Sequence, residues 1–384
     1  MMRKSQMKKI SVLYVCPDNS YGGSSRSLLN LILSVQNEVT PIVLFPSPGR
    51  AFDEFKRYGI ECIIHPYIKL HQISTWKNVL LHPWRALIVR VFRYDVACAV
   101  FVKHYLKDRS IEVVHSNYSL IYIGWLLSKY LGAKHVWHVR EFVDIDFHYK
   151  VYGGLSLLRK MINRAAARIA ISSAIKKHWQ MPNINTWVIS NAICSKNNTI
   201  YIPIKEKYIL YSAYSMSEHK GARRAIEAFA QSGMTKKGYV LKMVGNCYDD
   251  YKESLLKTIL AYGILDYIKF YPCQLDLKPF FMHAAAYLMT SENEAFGRVT
   301  AEAMFYGCPV IAHATGGTLD MIENGETGYL YNTVDECAQL ISRVCSEDQQ
   351  KVVSQAQEFA RNNLSQEVYA PKIMQVYEAV LNGK

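Results

Sequence analysis

The sequence predicts an α/β protein with two open parallel sheets in tandem, and three observations predict it. Apolar runs of strand length alternate with amphipathic helical patterns along the chain. Strand, helix, strand at that rhythm forces neighbouring strands to be parallel and covers both faces of the sheet. The scheme then repeats after a polar stretch, and the chain has 384 residues, half of them hydrophobic and a fifth charged, which suits two cores better than one. The expected division is 1–194 and 195–365, with residues 195–207 as a linker and a final helical segment at 366–381 that packs back on the first domain. In such sheets ligands bind at the carboxyl ends of the strands, so the two domains are expected to face a central cleft.

The elements follow in order. ISVLYVC reads as the first strand, since its apolar run is short and meets Pro17 and Asp18 instead of a small-residue cleavage site. SSRSLLNLILSV has apolar residues at helical spacing. TPIVLFP, IECIIHP, IEVVHSN and KHVWHVRE read as strands, with AFDEFKRYG and YIGWLLSKYLG as helices between them; ARIAISSAIKKHW and TWVISNAI close the half. In the second half KYILYSAYS, GYVLKMVGN, YIKFYPCQ, AAYLMTS, CPVIAHA and GYLYN read as strands. KGARRAIEAFAQSG, ESLLKTILAYG and a segment from Arg298 read as helices.

Composition excludes several classes. The folded balance of hydrophobic and charged residues excludes disorder. No uninterrupted run of about 20 apolar residues exists to span a membrane. Nine scattered cysteines, with no C-x-x-C pair, read as reduced thiols of a cytoplasmic protein. No strand is followed by G-x-G-x-x-G, which argues against a dinucleotide dehydrogenase. Residues 1–200 carry a net charge of +16 and residues 201–384 a net charge of −3. The basic half suits an anionic partner or a solvated basic surface. Nucleic acid is disfavoured, because no helix-turn-helix, zinc module or aromatic RNA-binding motif is present. Residues 76–109 interleave Trp84, Phe92, Tyr94 and Phe101 with Arg85, Arg90, Arg93, Lys103 and Arg109, a pattern that suits either an anionic membrane interface or a core helix with a basic outer face.

The strongest chemical signal is SENEAFGRVTAEAMFYGCPVIAHATGG. A strand ends, a loop follows, and a helix begins near Arg298, so the backbone N–H groups of Phe296, Gly297 and Arg298 are expected to be free for an anionic phosphate. Glu294 precedes the helix and Glu302 lies one turn inside it, a spacing that lets two carboxylates grip hydroxyls on either side of a diphosphate. Gly316 and Gly317 form a second turn that could border the sugar. In the first half Gly22 and Gly23 stand between a strand and a helix, where they permit close approach of phosphate or sugar. Asp144-Ile145-Asp146 and Asp249-Asp250 are the acidic pairs that could hold a divalent metal carrying a diphosphate; a metal is not expected.

The segment SENEAFGRVTAEAMFYGCPVIAHATGGTLDMIENGETGYLY resembles the donor-binding region of the family 4 retaining glycosyltransferases, whose E-x7-E motif matches Glu294 and Glu302. The resemblance extends over nearly the whole chain: YGGSSRSLLNL is similar to the family's glycine-rich first loop, HVREF to its catalytic-histidine segment, VISNAI to the crossover, and SEHKGARRAIEAFA to the lysine-glycine helix start. It implies the GT-B fold, two Rossmann-like domains. It also implies roles: Glu294 and His138 at the transferred sugar, Glu302 at the ribose hydroxyls, Lys220 at the departing diphosphate. Arg140 and Glu141 would line the acceptor side or pair with each other. Two departures stand out. The family arginine about five residues before the lysine falls on Ser215, so one diphosphate contact is either missing or supplied from elsewhere, by Arg298, Arg223 or Arg224. Tyr271-Pro272 stands where glycine is usual, near Cys273 and Gln274, where the base is expected.

The reading is therefore a cytoplasmic, metal-independent, retaining hexosyltransferase with no cofactor. Its donor is a nucleotide-sugar, UDP-sugar ahead of GDP-sugar. Its acceptor is a lipid-linked or polysaccharide glycan at the inner face of an anionic membrane. The alternatives are a GT-B nucleotide-sugar epimerase and a non-catalytic sugar-binding protein derived from a transferase.

Overall fold

The computed structural model describes residues 8–70 and 91–383. Their contacts divide into two compact units, Met1–Ala192 with Gln366–Lys384, and Ile193–Ser365. Each unit is an α/β layer structure around an all-parallel sheet.

In the first unit seven strands run β1 (Ile10–Val15), β2 (Val39–Phe45), β3 (Glu61–Ile64), β4 (Val113–Ser116), β5 (Lys134–Val139), β6 (Ala167–Ala170) and β7 (Thr186–Val188), in the spatial order β3-β2-β1-β4-β5-β6-β7. The central strands are buried on both faces: Val12 to Val15 and Val113 to Ser116 are fully enclosed. This explains why they read as near-continuous apolar runs instead of alternating ones. The helix Gln366–Leu381 completes this core although it is the last in the chain. Tyr369, Ile373, Val376, Tyr377 and Val380 pack against Tyr14, Leu28 and Ile32, and burying an Ile or Val side chain contributes about 1.5–3 kcal/mol.

The second unit holds six strands, β8 (Tyr208–Ser215), β9 (Val240–Asn246), β10 (Ile268–Tyr271), β11 (Ala286–Met289), β12 (Val310–His313) and β13 (Tyr329–Tyr331), ordered β10-β9-β8-β11-β12-β13. The polar stretch 195–207, expected as a linker, is packed onto this unit. The Ile200 N–H donates to the Phe305 carbonyl at 3.2 Å. The Lys205 ammonium donates to the carbonyls of Met282 and Gly307, both at 2.8 Å. Burial pushes the Lys205 pKa down, yet two carbonyls replace the water it loses. Helices also occur where the sequence reading placed none, at Gly154–Asn163, Val334–Val344 and Gln350–Asn363.

In each sheet the order of strands reverses beside its first strand, between β1 and β4 and between β8 and β11. Open α/β sheets bind ligands outside the carboxyl ends of the strands at such a switch point. No described helix is long and apolar enough to cross a membrane. Of the basic and aromatic stretch 76–109, residues 76–90 lie outside the described residues; the rest forms a π-helical turn, Val91–Val96, and a helix, Ala97–Tyr105.

Candidate functional site

At the β8/β11 switch point the second unit gathers most of its expected residues. Lys220 follows β8 and Glu294 follows β11, and the Lys220 Nζ lies 3.3 Å from Glu294 Oε2. Two close packings set this distance. Gly221 has a φ of +69°, and a Cβ there would lie 2.0 Å from the Thr290 carbonyl oxygen, so only glycine lets the loop before helix Ala222–Gln231 touch the end of β11. Thr290 Oγ1 donates to the Gly221 carbonyl at 2.8 Å, and Arg224 donates to the Thr290 carbonyl at 2.7 Å. On the other side Gly316, with φ +53°, would place a Cβ 2.0 Å from the Glu294 carbonyl oxygen. The Gly317 N–H donates to that carbonyl at 2.7 Å, and Thr315 Oγ1 donates to the Glu292 carbonyl at 2.9 Å. The glycine pair thus holds up the Glu294 loop from behind.

The helix Arg298–Phe305 starts where the loop ends, with Gly297 as its cap residue. Its first N–H groups are not all free, contrary to expectation. The Gly297 N–H donates to Glu294 Oε1 at 3.2 Å, so the Glu294 carboxylate bridges the helix start and Lys220. Glu302 is buried one turn further on, and its Oε1 accepts from Arg298 Nε at 2.9 Å. Phe296 is buried as well. The arginines weighed as substitutes at Ser215 each have partners of their own. Arg223 reaches Glu218, Ser254 and Thr258, Arg224 reaches Thr290 and Glu292, and Arg298 reaches Glu302. Arg298 is the one whose partner is itself an expected donor contact. The Tyr271 ring packs edge-on to Phe280 at 5.5 Å between centroids, while Cys273 and Gln274 follow it in a partly exposed loop.

The first unit brings together a different set at its own switch point. His138, near the end of β5, is fully buried. Arg140 Nη2 stands 3.3 Å from His138 Nδ1, its Nε donates to Asn117 Oδ1 at 2.7 Å, and its Nη1 donates to Asn191 Oδ1. Asn117 passes the connection on, donating to the Ser24 carbonyl at 3.1 Å, just beyond Gly22 and Gly23. Neither of those glycines has a left-handed φ. A Cβ on Gly23 would meet nothing within 4 Å, and one on Gly22 would meet only Ser20 Oγ at 3.5 Å. The fold leaves that corner open. Burial, with the Arg140 charge beside it, holds the pKa of His138 well below the ordinary imidazole value, and the same causes act on His115.

Arg140 and Glu141 do not pair, and this corrects one of the two roles expected for them. Both lie just past the end of β5, and their side chains turn to different partners. Glu141 Oε2 accepts from the Ser119 N–H at 3.2 Å and from Ser119 Oγ at 3.0 Å. Burial pushes its carboxyl up to about 8. Glu141 is thus a buried acid held by Ser119. The D-x-D also resolves differently. Asp146 caps its own short helix, accepting the N–H groups of Phe142 and Val143 at 2.9 and 2.6 Å, while Asp144 lies 3.0 Å from His178 Nε2. Asp249 and Asp250 occupy the first turn of helix Asp249–Ala261. No three His, Cys, Asp or Glu side chains among the described residues form a group that could hold a metal ion.

Asn117, Asn191, His115 and Tyr377 belong to this site and were not foreseen. A signal existed: His115, Ser116 and Asn117 are three polar residues at the buried carboxyl end of an otherwise apolar strand.

Comparison with known proteins adds to this geometry. Residues 197–363 match the family model of the glycosyl transferases group 1. The chain is 28% identical to the human alpha-1,3/1,6-mannosyltransferase ALG2 over 365 residues, covering 85% of each protein. It is 23% identical to the N-acetyl-alpha-D-glucosaminyl L-malate synthase of Bacillus anthracis, over 80% of this chain and 84% of that one. Among solved structures, Anabaena Alr3699/HepE in complex with UDP and glucose superposes with a TM-score of 0.77 at 20% identity, over 96% of this chain and all of that one. Sucrose-phosphate synthase from Thermosynechococcus elongatus superposes with the same score at 18% identity, over 98% and 100%. The fold is GT-B, with two Rossmann-like domains.

Proposed function

We propose, from the match of residues 197–363 to the glycosyl transferases group 1, that the chain moves a hexose from a nucleotide-diphosphate sugar to a lipid-linked or polysaccharide acceptor, with retention at the sugar carbon. One observation carries the reading: Glu294 joins the ammonium of Lys220 to the N-terminus of the helix that bears Glu302. A cation and a helix N-terminus at one place suit a diphosphate, and the flanking carboxylates suit the hydroxyls of sugar and ribose. In this reading Glu294 exchanges Lys220 and the Gly297 N–H for the sugar hydroxyls when the donor arrives. Lys220 is then released to meet the diphosphate as the bond to the sugar breaks. Preorganised charge at that point stabilises the transition state more than the ground state. Glu302 takes the ribose, and Arg298, beside it, supplies the positive charge missing at Ser215. In the first unit His138 and Arg140 serve the sugar and the acceptor side, with Gly22 and Gly23 giving room. No metal or cofactor takes part. The UDP held by the Anabaena relative supports a UDP-sugar as donor.

The test is transfer of labelled sugar from a panel of nucleotide-sugars to a membrane glycolipid extract. Label in the glycolipid supports the reading. Label recovered as an isomeric donor would make the protein an epimerase, and donor that is neither hydrolysed nor transferred would make it a binding protein.

The first unit is proposed to meet the acceptor at the inner face of an anionic membrane. Val100, Phe101 and Tyr105 are exposed beside Lys103 and Lys107, and each basic residue near such a surface contributes about 1 kcal/mol. Co-sedimentation with anionic vesicles should fall with salt and with Arg93, Lys103 and Lys107 changed to Ser; equal binding to neutral vesicles would remove the proposal.

A further inference from the structure

The polar core of the first unit is a directed chain of hydrogen bonds, and its direction follows from one group. A guanidinium has five N–H donors and no acceptor. Arg140 Nη2 faces His138 Nδ1 at 3.3 Å, a long contact that favours the lone pair on that nitrogen and the proton of the neutral ring on Nε2. The second neighbour of His138 Nδ1 is His115 Nε2, at 3.2 Å. It too must be an N–H, or two lone pairs would confront each other. His115 Nδ1 is then an acceptor, and the hydroxyl of Tyr377 meets it at 2.9 Å. The Tyr377 oxygen also lies 3.1 Å from the Tyr14 hydroxyl. The chain ends at His138 Nε2, which is buried and meets no hydrogen-bond partner among the described residues. A buried donor left unpaired is costly, so this atom is the natural place for an oxygen of a ligand.

We infer that Arg140, His115 and Tyr377 are positioning residues that lock His138 as the Nε2–H tautomer, so that it presents a hydrogen-bond donor, never a base, to a sugar oxygen. The inference rests on the reading of His138 as a sugar-contacting residue. It deepens that reading in two ways. His138 cannot take the proton of the acceptor hydroxyl, since its only lone pair is filled by Arg140 and His115. And the C-terminal helix Gln366–Leu381 reaches the site through Tyr377, although that residue lies 262 positions from His115.

The experiment uses the full chain labelled with ¹⁵N-histidine and long-range ¹H–¹⁵N correlation, in which the protonated and unprotonated nitrogens of a neutral ring are resolved. His138→Gln identifies the His138 signals. The expected spectrum shows His138 neutral with its proton on Nε2 between about pH 6 and 8, where a free imidazole titrates. His115→Leu should give a mixture of tautomers and lower kcat about tenfold, the equivalent of about 1.4 kcal/mol, with the donor KM held. His115→Gln, which keeps an N–H facing His138, should restore both. If His115→Leu does not fold, Tyr377→Phe removes a single oxygen and should shift the tautomer balance in the same direction. A proton on His138 Nδ1, or a charged ring at pH 7, would overturn the inference, as would a His115→Leu variant with an unchanged spectrum. Wild-type transfer by His138→Ala would instead sink the sugar-contacting role, and the spectrum judges the tautomer independently of it.

Discussion

Replacing Lys220 by alanine separates catalysis from binding and from folding. The Lys220–Glu294 pair spans 3.3 Å, with the lysine side chain 43% exposed and the glutamate 20%. A pair that open to water contributes about 0–1 kcal/mol to stability, so the melting temperature should fall by no more than about 4 °C. Donor affinity should fall about tenfold, for the loss of one charge-assisted hydrogen bond to the diphosphate. The rate should suffer far more, because the charge that Lys220 meets grows as the bond to the sugar breaks; losing one preorganised group of that kind lowers kcat by about 10²–10³. Scanning calorimetry, titration calorimetry with the donor, and initial rates at saturating donor measure the three quantities. Equal losses in affinity and rate would mean that Lys220 only binds. A large drop in melting temperature would mean that it is structural, and either result refutes the reasoning.

Three further outcomes follow from the same structure. Glu302→Ala should weaken donor binding by about 1–3 kcal/mol through loss of charge-assisted hydrogen bonds, with Glu302→Gln intermediate because it still accepts from Arg298; unchanged affinity in calorimetry would refute the ribose assignment. Transfer should survive a strong chelator, since Asp146 caps a helix and Asp144 lies against His178; loss restored by manganese or magnesium would contradict this. Stability should peak near pH 7. His115, His138 and His135 are held neutral by burial, the last at about 3, so stability is lost as pH falls below the unfolded imidazole value of about 6.5. Glu141 has the opposite sign: its pKa is raised to about 8, so stability is lost as pH rises toward that value. Glu141→Gln should therefore abolish the decline on the alkaline side in urea titrations, and a decline that persists would locate it elsewhere.

The parts of the fold legible in the sequence were those carried by local periodicity. Strands such as β1 and β11 stand out because burial on both faces demands unbroken apolar runs. The grouping of the residues proposed to hold the donor was legible because they lie close together: Glu294, Gly297 and Glu302 span one loop and one helical turn. The first unit hid its site for the converse reason. His138, His115, Asn191 and Tyr377 come from three strand ends and the last helix, and no local pattern joins them. The capping role of Asp146 depends on the positive φ of Val143, which a D-x-D string does not reveal. The fate of Arg140 and Glu141 was settled just past the end of β5, by Asn117 and Asn191 for the one and Ser119 for the other, partners that lie far away in the sequence.

The central claim is that the second unit holds a nucleotide-diphosphate sugar on Lys220, Glu294 and Glu302. It is tested most directly by titration calorimetry of the full chain with UDP-sugars and GDP-sugars, repeated with Glu302→Ala. The account predicts saturable one-site binding of at least one UDP-sugar, in the range of about 1 μM to 1 mM usual for enzyme substrates, and at least a fivefold loss in the variant, the lower end of about 1 kcal/mol. Absence of binding by every nucleotide-sugar, or binding indifferent to Glu302, would contradict it.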